Sequence, residues 1–249
     1  MKISIITVTF NSDKFLEETI LSVKNQTYRN IEYIIIDGDS KDNTINIIKK
    51  YSNFINIFIT EKDNGIYDAM NKGLKLATGD IIGFLNSDDI YFDNNVLSKI
   101  ASNFSSNIEC LYGNIVFVNS NNTNIIIRKY ISKYFKPKYF QYGFMPAHPS
   151  FYAKKELYNK VGFFKLGYKI SADFDFLLRA LLIHNSRYKF INMTFVKMRY
   201  GGVSTTIKNK ILLNHEIYVS CLENNIKTNK FKIYSKYVFK LLSKFICLT

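Results

Sequence analysis

Ala77–Asp89 (ATGDIIGFLNSDD) packs a turn glycine, a short apolar run and an acidic end into one stretch. The run Ile81–Leu85 is short, β-rich and bounded by turn residues, which predicts a strand. The pattern repeats upstream. Ile3–Thr9, Ile31–Ile36 and Ile55–Thr60 are β-rich, and helix-like segments near Lys14–Asn25, Asp42–Lys50 and Ile66–Leu76 separate the runs. Strands alternating with helices predict βαβ units and a parallel sheet. Ser12 or Asp13 is placed to cap the first helix, Ser40 with Asn43 flanks the second, and the third follows the Asn64-Gly65 turn.

Downstream the alternation breaks. A helix is expected from Asp93 to Phe104, then a hairpin of Leu111–Val118 and Asn124–Tyr130 across Asn119–Asn122. A helix over Ala172–Ile183 and a strand over Tyr188–Tyr200 lead to Gly201-Gly202, and two further helices follow Thr205.

A chain of 249 residues, 47% of them hydrophobic, can bury the core of one large domain plus a tail. The formal charge of +14 calls for an anionic partner: nucleic acid, an acidic membrane face or a phosphorylated substrate. From Thr205 onward there are eight Lys against two Glu, so the tail is disproportionately basic. Cys110, Cys221 and Cys247 are far apart and read as reduced thiols. Ile3–Phe10 is too short for a signal-peptide core, and there is no apolar stretch of about 20 residues to span a bilayer. A cytoplasmic protein is expected, at the inner face of the cytoplasmic membrane.

In open parallel sheets ligands bind beyond the carboxyl ends of the strands. There the four runs deliver Asn11, then Asp37-Gly38-Asp39-Ser40, then Glu61 with Asp63-Asn64-Gly65, and finally Asn86-Ser87-Asp88-Asp89. Any one cluster also fits a turn or cap, where the same residue types are usual. Together they concentrate acid at one edge. Adjacent Asp88 and Asp89 repel unless they share a cation, and Mg²⁺ or Mn²⁺ combines one or two carboxylates with substrate phosphates and water.

With the segments Ile5–Asn11, Asp37–Thr44 (DGDSKDNT), Asp63–Gly73 (DNGIYDAMNKG), Ala77–Asp89 and Ser171–Arg179 (SADFDFLLR) in this order, the chain resembles the family 2 glycosyltransferases of the bacterial surface-polysaccharide branch. The resemblance implies a GT-A fold: an α/β, Rossmann-like, mostly parallel central sheet flanked by helices, here with a helical C-terminal tail. It divides residues 1–204 into a nucleotide-sugar-binding half, 1–104, and an acceptor-binding half, 105–204, leaving 205–249 as a basic amphipathic tail. It places Thr9, Asn11, Asp37, Asp39, Asp63, Asp68, Asn71, Asn86 and Asp88 around the donor, with Asp37 reading the base, most often uracil. Asp89 and Asp88 would hold a divalent metal, Mn²⁺ or Mg²⁺, and are expected outside the core. Asn86 stands where many relatives carry the first Asp of the metal motif. Met70 replaces an Arg that neutralises the diphosphate, so Lys72, Arg179, Arg199 or the metal must compensate.

Asp173 aligns with the family's catalytic base. On a helix Asp173 and Asp175 diverge by about 200°, so one can meet the cleft while the other supports it. Asp173 alternatively serves only as a helix cap. With one base and a metal-held leaving group, direct displacement with inversion is the economical route. His148, Arg179 and Gly202 are the expected contacts to diphosphate or acceptor, Gly202 within a loop that in relatives closes over the donor.

The partners implied are a nucleotide-sugar donor, a saccharide or lipid-linked acceptor, and an anionic membrane surface under the tail. Nucleic acid is disfavoured, because aromatic and basic residues form no stacking sheet or recognition helix. A sugar-phosphate nucleotidyltransferase would want a Gly-rich phosphate loop after the first strand, and residues 11–15 contain no Gly. A non-catalytic polyanion-binding protein is the remaining alternative. In the tail, Lys232, Lys236, Lys240 and Lys244 form a stripe opposite Phe231, Tyr234 and Val238.

Overall fold

The computed structural model describes residues 1–201 and 207–246. Four strands, β1 (Ile3–Thr9), β2 (Ile31–Asp37), β3 (Ile57–Thr60) and β4 (Ile81–Phe84), pair in parallel in the order β3-β2-β1-β4. Helices α1 (Leu16–Lys24), α2 (Thr44–Lys50) and α3 (Ile66–Leu76) connect them.

Side-chain alternation explains why these runs are continuously apolar. Ile6, Val8, Ile34 and Ile36 join one core with α3, whereas Ile3, Ile5, Tyr33 and Ile35 join a second core with α1. Both faces are covered, as a parallel sheet requires. Gly73 lets α3 lie close on β1, since a Cβ there would sit 2.5 Å from Ile6 Cγ2.

The second half of the sheet is mixed. After β5 (Ile90–Tyr91) and α4 (Val96–Asn103) come β6 (Cys110–Val118) and β7 (Ile126–Tyr130), antiparallel to each other. β8 (Tyr152–Lys154) runs antiparallel between β4 and β6, and α5 (Lys155–Val161) follows it. α6 (Ala172–Leu178) continues into a π turn over Arg179–Ile183. β9 (Tyr188–Arg199) pairs in parallel with β6 and carries β5 on its other edge.

Two helices close the chain, α7 (Ile207–Glu223) and α8 (Lys230–Ile246). Ile217, Cys221 and Ile233 are buried in the α3 core, so the boundary at 204/205 marks a change of sequence character rather than of packing. Cap expectations were less accurate. No side chain caps α1 or α2, and the first turn of α1 is instead closed by the Leu16 N–H on the Ser12 carbonyl at 3.1 Å.

Candidate active site

The loops after β1, β2 and β4 are laced together by polar contacts at the carboxyl edge of the sheet. Asn11, at φ 47°, accepts the Lys41 N–H at 2.9 Å, and its own N–H reaches Ser40 Oγ at 2.8 Å. Ser12 Oγ lies 3.0 Å from Ser87 Oγ, which joins the first loop to the fourth. Asp37 is fully buried and accepts the Ser40 N–H at 2.9 Å and the Thr60 hydroxyl at 2.7 Å, so its first duty is to hold the turn at Gly38. A Cβ on Gly38 would meet Asp63 Oδ2 at 2.5 Å. That glycine keeps the second and third loops in close approach. Asp39, at φ 68°, is half-buried and pairs with Lys41 at 2.7 Å.

Asp63 closes its own turn by accepting the Gly65 N–H at 2.9 Å, and Asp68 accepts the Asn64 N–H at 3.0 Å. Asn71 is clamped to one residue of another segment. Its amide donates to the Phe164 carbonyl at 2.8 Å and accepts the Phe164 N–H at 3.0 Å. Both polar ends of Asn71 are therefore engaged in the fold. Met70 is buried in the core and carries no charge to this edge.

Asp88 and Asp89 differ sharply. Asp88 keeps partial exposure, whereas Asp89 is 1% exposed, inside the core rather than outside it. Asp89 accepts the Asn86 amide at 2.8 Å and the backbone N–H of Arg199. Burial pushes the Asp88 carboxyl up, and it pushes Asp89 well up, with repulsion from Asp88 adding to the effect. A pair that resists double ionisation in the bare protein is what a shared cation would relieve. Among the described residues no group of three or more His, Cys, Asp and Glu is placed to hold a metal. A cation here would therefore take its remaining ligands from substrate and water, which suits Mg²⁺ or Mn²⁺ with a diphosphate.

Three cations were candidates to neutralise that diphosphate. Lys72 is paired with Glu61 at 2.8 Å and Asp68 at 3.6 Å. Arg179 is spent on Asp175 at 2.8 Å and on the carbonyls of Val161 and Phe163. Arg199 remains. It is 5% exposed, pairs with Glu18 at 2.7 Å, and lies 4.3 Å over the Phe15 ring beside the aspartate pair. Its Nε is buried with no partner, as is the Thr9 hydroxyl at the end of β1. Buried polar atoms without partners are rare, and two of them at the ligand edge point to a polar ligand.

Asp173 is half-buried at the start of α6 and hydrogen-bonded by Tyr67 Oη at 3.3 Å and the Phe174 N–H at 2.8 Å. Burial raises its carboxyl to about 6, against those hydrogen bonds. Asp175 is fully buried and holds Arg179, Lys165, Ser220 and Asn224. The two acids have diverged as helical spacing predicts. His148 is buried between Phe84 and Phe164, and burial lowers its imidazole to about 4, leaving it neutral at pH 7. Gly202 and the loop after it lie outside the described residues.

Sequence reasoning missed Tyr67 and Glu216. Glu216, buried on α7, accepts the N–H groups of Lys169, Ile170 and Ser171 at 2.8–3.0 Å and the Ser171 hydroxyl at 3.0 Å. It fixes the segment that enters α6, and hence the placement of Asp173. The only signal in the sequence is an acid beside apolar Ile217 in a helical pattern. Glu216→Ala strands the buried N–H and hydroxyl of Ser171 and should cost about 3 kcal/mol of stability. Denaturant unfolding of the variant checks this.

A sheet whose first four strands run parallel between helices, with an acidic pair at their carboxyl edge, is the architecture of the GT-A class of sugar-transferring enzymes. A family model described as "Glycosyl transferase family 2" matches residues 4–166, and the chain belongs to that family. It is a glycosyltransferase. It is 35% identical over 131 residues, 52% of this chain and 51% of the relative, to the Escherichia coli UDP-Glc:alpha-D-GlcNAc-diphosphoundecaprenol beta-1,3-glucosyltransferase WfgD. The fold is that of Staphylococcus aureus TarS, solved with UDP-GlcNAc, at TM-score 0.69 and 21% identity over 96% of this chain and 72% of that one. It is also that of a Pyrobaculum calidifontis mannosyltransferase, solved with GDP-Man and Mn²⁺, at TM-score 0.67 and 14% identity over 93% and 67%.

Proposed function

We propose that this enzyme transfers a sugar, with inversion, from a UDP-sugar to a saccharide or lipid-linked oligosaccharide during bacterial cell-surface polysaccharide synthesis. The observation that carries the reading is the raised, partly exposed Asp88 with buried Asp89 at the edge that also bears Asp37. WfgD, whose name specifies a UDP-sugar and a diphosphoundecaprenol acceptor, supports both choices of substrate.

The base rests over Gly38. Asp37, fully buried, fixes that turn through Ser40 and Thr60 and so sets where the base lies. Thr9, Asn11, Asp39, Asp63 and Asp68 line the nucleoside side, and Asn86 bridges the nucleoside side to the acidic pair. Asp88 would hold the metal directly, and Asp89 holds the loop that presents it. The divalent ion supplies charge neutralisation for the departing diphosphate. Arg199 adds a positive charge at this edge, with its buried Nε–H unpartnered. Asn71 and Arg179 act through the 161–164 segment, which they hold by its backbone.

Asp173 takes the proton of the acceptor hydroxyl. Its carboxyl near 6 is ionised at pH 7 yet basic enough to accept that proton. His148, neutral and wedged between aromatic rings, shapes the acceptor side. The cytoplasmic face of the membrane is the proposed location, where a lipid-linked acceptor is presented.

Thermal stabilisation by UDP, GDP, CDP and dTDP sugars, with and without Mn²⁺ or Mg²⁺, tests the assignment. At a hundredfold excess over Kd a native-state ligand contributes about 2.7 kcal/mol, or roughly 5–10 °C for a chain of this size. UDP with metal should give that shift. If no nucleotide shifts the midpoint, the donor site is misplaced.

A further inference from the structure

The hairpin around β7 carries an unusual surface. Ile125, Ile126, Ile127 and Ile131 each leave about half of their area exposed, and Tyr134 is 75% exposed. Isoleucine is the residue a folded protein hides first, and contiguous exposed apolar patches mark interaction sites. Within residues 125–138 the charges are Arg128, Lys129, Lys133, Lys136 and Lys138, and no Asp or Glu occurs from 110 to 155.

A second patch flanks the same segment. On α8, Ile233 and Lys236 are buried whereas Phe231, Tyr234, Val238 and Phe239 are exposed, Phe231 at 89%. The apolar flank faces outward, whereas the lysines at this end of the helix do not. Lys232 reaches inward to Gln141 Oε1 at 3.1 Å, so the near end of the lysine stripe grips the body and the aromatic flank is left outside. Thr228 Oγ1 bonds the Gln141 carbonyl at 2.6 Å, and the rings of Phe144 and Phe239 lie 6.4 Å apart. The segment between the two patches also borders the proposed base. Phe140 packs edge-on to Phe174, next to Asp173, at 5.3 Å.

We propose that the β7 hairpin and the outer flank of α8 together form a docking surface for an anionic lipid bilayer, bringing the acceptor side of the cleft to the membrane. Charge selects this occupant over a second copy of the chain. The hairpin is of one sign, and α8 adds Lys230 with no acid after Glu223, so two copies would set cations against cations. An acidic headgroup layer receives both the cations and the isoleucines. The purpose of such a surface rests on the proposed lipid-linked acceptor, whereas the binding itself does not.

Co-sedimentation of the full chain with vesicles of phosphatidylglycerol and phosphatidylcholine in equal parts, against phosphatidylcholine alone, tests it. The wild type should pellet with the acidic vesicles, and less so as salt rises. Ile126→Asp with Ile131→Asp should lower that partition by at least about tenfold, as should Lys129→Glu with Lys133→Glu. Stabilisation by UDP and metal should persist in both variants, which shows that they fold. Equal pelleting of wild type and hairpin variants, or no preference for acidic vesicles, overturns the proposal. So does a wild-type dimer in analytical ultracentrifugation that the hairpin changes convert to monomer without altering vesicle binding. Loss of UDP stabilisation in the wild type as well would count against the donor site and leave the docking surface standing.

Discussion

Asp88→Ala should lower metal-dependent affinity for the donor by at least about a hundredfold and leave the bare fold intact. Even partners that merely orient a metal ligand are worth 10- to 100-fold, and Asp88 is the proposed ligand itself. Its partial exposure means that removing the carboxylate strands no buried donor. The bare protein should gain stability at neutral pH. Burial raises both carboxyls of the pair, so its contribution is most favourable below the unfolded carboxylate value and is lost as pH rises through the raised folded values. Taking away Asp88 removes its share of that loss and its repulsion of Asp89.

Asp89→Ala is a different experiment. It leaves the Asn86 amide and the Arg199 N–H without their acceptor, at about 1–3 kcal/mol each, so stability falls together with donor binding. Isothermal titration with UDP in Mn²⁺ or in chelator, alongside thermal melts, separates the two variants. Wild-type affinity in Asp88→Ala, insensitive to chelator, would remove the metal from this site.

The contrast shows where the sequence is informative. The four apolar runs with polar ends put Asp37, Asp63 and Asp88 on one edge, because in a parallel sheet every strand ends on the same side. The depth of Asp89 was not legible. It depends on β9, more than a hundred residues later, bringing Arg199 over the loop. β8 and α5 went unread for a related reason. A strand as short as Tyr152–Lys154 carries no period of its own and exists only because β4 and β6 flank it.

Glu216 and the tail lysines illustrate another limit. A helical period says which residues share a face but not which face meets the body. Lys232 and Lys236 share a face that is turned toward the body, where Gln141 offers Lys232 a polar partner. Arg199 was visible only as one of several spare cations. Packing engages all three, Lys72, Arg179 and Arg199, and what sets Arg199 apart is a buried Nε–H left without a partner beside the aspartate pair.

Asp173→Asn should retain UDP-sugar binding and lose transfer by about 10²–10⁴, the usual worth of a positioned base. Asparagine keeps the volume and can still accept the Tyr67 hydroxyl and the Phe174 N–H that hold the side chain. The fold is therefore preserved, and only the ability to take a proton is lost. The pH profile distinguishes this role from a helix cap. Burial raises the carboxyl to about 6, so kcat/KM of the wild type should rise through pH 6 and level off above 7, as the ionised form becomes fully populated. The residual rate of Asp173→Asn should be free of that inflection. Asp175→Asn should instead lower the melting temperature, because it weakens the buried ion pairs to Arg179 and Lys165, while the inflection near 6 stays in place. Initial rates from pH 5 to 8 with a soluble acceptor analogue, normalised to donor-saturated enzyme, decide the matter. A wild-type turnover in Asp173→Asn, or an inflection that survives in it, would move the base elsewhere.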